Sequence, residues 1–583
     1  MADSKQDVLD MLRDLAELTL LDEGDAQSFR VRAYEAAAQA IAAQATDLGV
    51  LSLKDLQKIQ GIGPSTAAKI RELLETGKVE KLEALRSKHP RAVVALLRIP
   101  GLGPKGLRRL RAELGVASLD DLRRAIETKQ IRGLPGFGAK SEEKLAEALA
   151  RYDATGEAKR TPIAVALKLA ERVIERLREV PGVSHASYCG SLRRFAETVG
   201  DVDLVVVASD PAPVMESFAT MGVVDSVLVR RDTKTSVVTH RGTQVDLRVV
   251  APEQLGAALL YFTGSKGHNI KLRQRALERG WTLNEYALSE QESGRVIASR
   301  TEEDIYRALG LSFIPPELRE DWGEIELAEA GALPPPMGAL YGDFHVHTTV
   351  SGDGRSPLEE VVLEAKARGL RVLAITDHAE GTISGVGRTE LLAQRARIAA
   401  VQAELGDGLR LLHGIELNIG PDGQLDYDAE FRAGFDWCVA SVHDHFDLPR
   451  DRQTARIIKA MQDPSVRLIG HPSARLIGGR PPIELDLEAV FAAAEETDTA
   501  LEVNGGLPRL DLSVEALRRA RGRALTFVLT SDAHHAKELA RLDFAAKNAE
   551  RAGIDRAKVA NTWAPEQLLA WAARGGASGA AIR

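Results

Sequence analysis

The absences in this 583-residue chain narrow its function before any motif is read. There are two cysteines, Cys189 and Cys438, each inside an apolar run. They read as separate buried thiols, which excludes a disulfide framework and fits a reducing compartment. There is no excess of positive charge: 76 Lys and Arg against 84 Asp and Glu give a formal net charge of -8. Any nucleic-acid contact must therefore come from local basic surfaces. No apolar stretch is long enough to cross a bilayer, and the opening Met1 to Lys5 carries no apolar signal core. The expected location is the cytoplasm, beside the nucleoid, with no membrane partner. A hydrophobic content of 44% and a charged content of 27% are those of an ordinary globular protein. The length calls for roughly three to five domains.

From Lys5 to about Gln130 apolar residues recur at three-to-four spacing, the pattern of helices. Gly-x-Gly turns interrupt them at Gly61-Ile62-Gly63, Gly101-Leu102-Gly103 and Gly136-Phe137-Gly138. Thr161-Pro162 reads as a helix start with threonine as the cap. Short β-branched runs between Ser187 and Val250 predict a sheet. A mixed helical segment follows to about Trp322, and Gly331 to Gly338, with Pro334-Pro335-Pro336, reads as a semi-rigid linker. Beyond it, strands are predicted over 341–347, 371–376, 409–417, 437–443, 466–470, 500–504 and 525–531, alternating with helical stretches. Seven strand–helix units predict a parallel barrel one unit smaller than the eight-stranded form, with its chemistry at the strand carboxyl ends.

Asp201 and Asp203 are two apart in a strand, so both project from one face while Val202 and Leu204 enter the core. Asp246 lies in a second strand that can pair alongside. Three clustered carboxylates cannot all ionise cheaply without cations, and hard oxygen ligands suit Mg²⁺. Two such ions roughly 4 Å apart supply activation of a hydroxyl and stabilisation of a leaving pyrophosphate. Gly190 and Ser191 offer an amide and a hydroxyl to phosphate, and Arg194 adds a charge-matched fork. A solvated acidic edge strand explains neither the Gly-Ser pair nor the spacing.

These residues resemble the palm of family X DNA polymerases. The resemblance extends to Tyr261, Phe262, Gly264, Ser265, Asn269 and Arg273, and implies contacts to the sugar, base and minor groove of an incoming nucleotide. Gln244 stands where an arginine neighbours the third aspartate in polymerase beta, and Lys266 replaces an acid there. The second change implies an added cationic contact to the nucleotide.

Gly61 and Gly63, followed by Lys69 and Arg71, resemble a helix-hairpin-helix element whose amides face a phosphate. Gly101 and Gly103 with Lys105 repeat it, beside Arg108, Arg109 and Arg111. Plain inter-helix turns are the alternative, most of all for the third copy. The first domain also resembles the lyase domain of these polymerases. Lys69 then falls at the Schiff-base lysine, and Arg30 and Tyr34 fall near its 5′-phosphate contacts. Lys69 as a simple phosphate contact is the competing reading.

Nine of thirteen histidines follow residue 344. His345, His347, Asp353, His378, Glu416, His443, His471, Asp532 and His534 stand at or near strand ends. Mixed imidazole and carboxylate donors suit Zn²⁺ or Mn²⁺, and nine donors exceed what one ion can hold. The series resembles the polymerase and histidinol phosphatase (PHP) family, which implies up to three metals. Asp353 takes a place that is histidine in some members. His413, His445 and His535 fall off the pattern, and Glu502 and Asn504 are candidate pocket-lining residues.

The order of domains resembles bacterial family X DNA polymerases with a PHP domain. Expected boundaries are a lyase-like domain over 1–85, a second helix-hairpin-helix subdomain over 86–158 and a palm over 159–250. A thumb over 251–322, a linker over 323–340 and the barrel over 341–575 follow. The resemblance implies filling of short gaps in gapped or nicked DNA from dNTPs by a monomer. It also implies a 3′→5′ exonuclease in the barrel, with abasic-site endonuclease, 3′-phosphatase and 5′-deoxyribose phosphate lyase activities alongside. A barrel acting on small phosphate esters, and a DNA-binding scaffold with both centres silent, are the competing readings.

Overall fold

The computed structural model describes residues 4–23, 28–43, 48, 51–89, 92–93, 96, 99, 102–149 and 160–573. The chain divides into two compact units, one built largely from the N-terminal helices and the other from the sheets and the barrel.

In the N-terminal unit helices Ser4–Glu23 and Phe29–Ala43 precede shorter ones at Leu53–Lys58, Pro64–Thr76, Glu80–Lys88, Pro104–Leu114, Leu119–Glu127 and Ala139–Leu149. Helix starts carry local signals: the Ser52 hydroxyl accepts from the Asp55 amide at 3.2 Å, and Ser118 accepts from Asp121 at 3.1 Å. One hydrophobic cluster runs from Val8 to Leu149, so packing is continuous across the boundary expected near residue 85.

In the second unit the palm is a five-stranded sheet ordered Val183–Tyr188, Asp201–Ala208, Gln244–Val250, Lys234–Thr239 and Val224–Arg230. Helix Ile163–Arg178 covers it with seven buried apolar residues at helical spacing. Pro162, not Thr161, caps that helix. Thr161 and Pro162 are instead drawn into a short antiparallel pairing with Val199 and Thr198. The thumb is a three-stranded antiparallel sheet with helices Leu255–Thr263, Lys266–Leu277 and Glu302–Ala308.

The segment expected as a linker is tied down. It contains helix Glu324–Glu329, whose Ile325 and Ala328 enter the thumb core, and the Met337 amide donates to Glu550 at 2.8 Å. The barrel then runs through seven parallel strands in sequence order: Gly342–Val346, Val372–Ile375, Arg410–Asn418, Trp437–Ser441, Val466–Gly470, Ala500–Asn504 and Phe527–Thr530. A parallel bridge between Val346 and Ala533, with the His347 amide donating to the Ala533 carbonyl at 2.8 Å, nearly closes it. The strands are buried on both faces, as parallel strands under helices must be.

Barrel and palm pack directly on one another. Leu510 belongs to the palm's hydrophobic cluster, Phe544 stacks on Phe195 at 5.8 Å, and Arg475 forms a two-point pair with Glu197 at 2.8 Å each. Two folds joined only by a Pro-rich spacer would show none of these contacts. Among the described residues, no helix is long and apolar enough to cross a membrane.

Candidate active sites

In the palm, Asp201 and Asp203 alternate with buried Val202 and Leu204 along one strand. Asp246 sits on the neighbouring strand of the sheet. Burial, then the charges of Asp201 and Asp246, push the Asp203 carboxyl up to about 7. The carboxylates do not close on one another as the barrel donors do. Asp246 lies instead 3.6 Å from Lys234 Nζ.

Gly190 has φ +61, and a Cβ there would stand 2.2 Å from Asp203 Oδ2. Only glycine lets the turn before Ser191 lie against the aspartate. The buried carboxyl and this close backbone approach fit a divalent cation with phosphate beside it. Arg194 Nε donates to Glu320 at 2.9 Å, and its Nη1 donates to the Thr263 carbonyl. Ser265 caps the helix bearing Asn269 and Arg273, accepting from the His268 amide at 3.3 Å. Asn269 donates to the Tyr261 carbonyl at 2.8 Å, Arg273 lies 5.1 Å over the Tyr261 ring, and Phe262 meets Tyr261 edge-on at 5.0 Å. Lys266 is exposed at the start of the same helix, and Gly264 follows the preceding one in the left-handed region.

Arg193 belongs to this site although its chemistry was not singled out from sequence. It donates to Thr263 Oγ1 at 2.7 Å and to both oxygens of Glu302 at 3.0 and 2.6 Å, locking palm to thumb. Its place beside Arg194 was the available signal.

The barrel donors converge far more tightly. Glu416 Oε2 lies 3.2 Å from His345 Nε2, 3.5 Å from His347 Nε2 and 2.9 Å from His378 Nδ1, while Oε1 lies 3.2 Å from His443 Nε2 and 3.1 Å from His471 Nε2. Asp532 Oδ1 is 3.5 Å from His347 Nε2 and 3.7 Å from His534 Nδ1. Asp353, at the mouth, reaches His378 Nε2 at 3.3 Å and His534 Nε2 at 3.4 Å. Among the described residues, four groupings of these nine side chains bring donor atoms within 4.8 Å of one another. Both Glu416 oxygens, His345 Nε2, and both ring nitrogens of His347 and His443 are buried without a hydrogen bond. Buried polar atoms that face one another without bonding are costly unless a cation takes their lone pairs, so the donor set fits a multinuclear metal centre. His471 and Asp532 also hold left-handed backbone, φ +24 and +49, a strain found at functional positions.

Electrostatics bind the cluster together. Burial opposes charge on Glu416, yet the surrounding imidazoles hold it well below the ordinary carboxylate range. Burial likewise opposes charge on His378, but Glu416 and Asp353 raise it to about 10. His347 and His471, where burial dominates, are depressed to about 4.

Glu502 is a support, not a donor to the cluster. It accepts from His345 Nδ1 and Thr530 Oγ1, each at 2.6 Å, and from the His471 amide. Asn504 donates to Asp532 Oδ2 at 3.1 Å. His413 stacks on Phe435 at 4.7 Å, and His535 caps a 3₁₀ turn, so both stand apart from the centre. Arg509 was missed by sequence reasoning: its Nε is 3.3 Å from Asp532 Oδ2, and its Nη1 is buried without a partner. Its position in the loop after the sixth strand was the only hint.

In the N-terminal unit, Gly63 and Gly103 cap the helices Pro64–Thr76 and Pro104–Leu114, leaving open space where a Cβ would stand. Gly61 has φ +97, Lys105 is exposed, and Gly101 lies outside the described residues. In the third copy Phe137 packs against Gly106, and Arg109 donates to the Pro135 carbonyl. Lys69 Nζ donates to Ser65 Oγ at 2.8 Å and lies 5.9 Å from the Tyr34 ring, with its pKa lowered by burial. Arg30 pairs with Glu23 at 2.8 Å.

A palm triad and a donor-rich barrel in one chain define a bifunctional, metal-dependent enzyme of phosphate-ester chemistry. Known families match in four places: a helix-hairpin-helix domain over residues 3–79, a SAM-like helix-hairpin-helix tandem over 93–151, a DNA polymerase beta thumb over 258–320 and a PHP domain over 343–505. The chain is 37% identical over 539 residues to the DNA polymerase/3′-5′ exonuclease PolX of Bacillus subtilis, which covers 92% of this chain and 93% of that protein. The chain is 28% identical over 237 residues to a probable phosphatase of Vibrio vulnificus, 39% of this chain and 90% of that protein. A probable phosphatase of Caldicellulosiruptor saccharolyticus is 31% identical over 216 residues, 35% of this chain and 84% of that protein. The chain belongs to the family X DNA polymerases that carry a PHP domain.

Proposed function

We propose that this enzyme fills short gaps in damaged DNA at the palm and trims 3′ ends at the barrel. The coexistence of the carboxylate triad with the complete nine-donor cluster carries the reading. Mg²⁺ held by Asp201, Asp203 and Asp246 supplies charge neutralisation for nucleotidyl transfer. Asp201 and Asp203 would hold both ions, while Asp246 would help hold the one beside the primer end and favour loss of the 3′-hydroxyl proton. Gly190, Ser191, Arg194 and Lys266 take the triphosphate, and Tyr261, Phe262, Gly264, Ser265, Asn269 and Arg273 take sugar, base and minor groove. In the barrel, Glu416 together with His345, His347, Asp353, His378, His443, His471, Asp532 and His534 would hold up to three Mn²⁺ or Zn²⁺ ions, which would supply a nucleophilic hydroxide and charge neutralisation for phosphodiester hydrolysis. The helix N-termini at Gly63 and Gly103 hold DNA by its phosphates, independent of sequence. Lys69 acts as a lyase amine, with Arg30 and Tyr34 at the 5′-phosphate. Abasic-site cleavage and 3′-phosphate removal belong to the same barrel, and the enzyme acts in the cytoplasm as a monomer.

One assay tests this: a labelled primer on gapped DNA, with Mg²⁺ or Mn²⁺, with and without dNTPs. Asp201→Ala should lose extension and keep shortening, and Asp532→Ala should do the reverse. Extension by Asp201→Ala, or shortening by Asp532→Ala, would overturn the respective half. The resemblance to probable phosphatases favours a second reading. Phosphate released from nucleoside monophosphates, with the primer left intact, would select it.

A further inference from the structure

We propose that Arg551, on the barrel helix Leu542–Ala552, is a positioning residue for nucleotide addition in the palm. Arg551 Nη1 donates to the backbone carbonyl of Arg194, and its Nη2 lies 2.6 Å from Glu320 Oε1. The same Glu320 oxygen accepts from Arg194 Nε at 2.9 Å. One barrel arginine therefore grips Arg194 twice, directly at its backbone and through a shared carboxylate at its side chain. All three side chains are mostly buried, at 14%, 13% and 10% exposure for Arg194, Glu320 and Arg551, so the pairs are poorly screened.

The contact is part of a built face. Phe544, Lys547 and Arg551 follow one another at three- and four-residue spacing, the same side of a helix. Phe544 stacks on Phe195, the residue after Arg194, whose backbone is left-handed at φ +59. Lys547 lies 5.8 Å from the same ring and 3.2 Å from Glu317. Backbone and side chain of the phosphate-binding turn are thus set from the barrel.

Charge gives the grip a direction. Two arginines sharing one carboxylate keep a net positive charge at Arg194. Without Arg551, Glu320 would neutralise Arg194 alone, and the pull of its guanidinium on a triphosphate would weaken. The proposal rests on the reading of Arg194 as a triphosphate contact.

Steady-state extension by the full-length protein, with dNTP titrated, tests both. Arg551→Ala should raise KM for dNTP about tenfold with a smaller change in kcat, and leave the rate of 3′ shortening unchanged, although loss of the buried pair should lower the unfolding temperature. Arg551→Lys, keeping charge but losing the two-point grip, should give a smaller rise. It is the variant to read if Arg551→Ala also loses shortening. In an Arg194→Ala background the Arg551 substitution should have no further effect on KM. An unchanged KM in folded Arg551→Ala, additive effects in the double variant, or parallel loss of both activities in Arg551→Lys would overturn the proposal. An unchanged KM in Arg194→Ala alone would instead refute the reading of Arg194.

Discussion

His345 Nδ1 and Glu502 Oε1 stand 2.6 Å apart, both fully buried, and this pair turns the opposite ring nitrogen of His345 toward Glu416. A carboxylate behind an imidazole fixes its tautomer and raises its strength as a donor. Glu502→Ala should lower the affinity of the barrel for Mn²⁺ by roughly 10- to 100-fold. A Mn²⁺ titration of 3′ shortening reads this, with primer extension as the internal control. An unshifted midpoint would show that Glu502 only packs.

Asp203 makes the stability of the metal-free protein depend on pH. Its folded carboxyl is raised to about 7, above the ordinary 3.8, by burial and then by Asp201 and Asp246. A raised acid contributes stability that is fully present below about pH 4 and is lost as pH rises through about 7. In chelator, Asp203→Asn should therefore be more stable than the parent at pH 8 by roughly 2–4 kcal/mol, and the difference should shrink toward pH 5. Mg²⁺ should raise the melting temperature of the parent at pH 8 more than that of the variant. A difference that does not vary with pH would contradict the placement of this carboxyl.

The hairpin glycines should separate folding from binding. Gly61→Val places a side chain at φ +97 with its Cβ 3.3 Å from the Ala36 carbonyl, and should lower the melting temperature. Gly63→Val and Gly103→Val meet open space and keep ordinary backbone, so their stability should fall only by the roughly 1 kcal/mol that a poorer N-cap costs. Both should still weaken binding to gapped DNA, equally across sequences, because backbone amides can no longer approach phosphate. Unchanged affinity in the latter two would make these turns connectors.

Lys69 offers a direct chemical trap. Its amine is partly buried, hydrogen-bonded to Ser65 and lowered in pKa by that burial, which favours the neutral nucleophile. Borohydride added with DNA bearing a 5′-deoxyribose phosphate should give a covalent adduct that Lys69→Ala does not form. An adduct that survives in Lys69→Ala would assign the amine elsewhere.

Much of this protein was legible in its sequence because the signals are local. Alternation of Asp201 and Asp203 with Val202 and Leu204 sets a strand face, since side chains alternate with period two. The seven barrel strands fall within about two residues of their expected bounds, because buried parallel strands are short β-branched runs ended by polar residues. Histidine and carboxylate at those ends were legible for the same reason, and the fold brings their donor atoms together. Tertiary structure alone decided which side chains act through others. Glu502 and His345 are 157 residues apart, and no spacing rule joins them. The Pro-rich stretch read as a spacer from composition, yet Met337 is tied to Glu550, and Phe195, Glu197 and Glu320 are packed against the barrel. Ion pairs and ring stacking between surfaces distant in sequence leave no period in the chain. They arise only when two folded faces meet, and here they make the palm and the barrel one body.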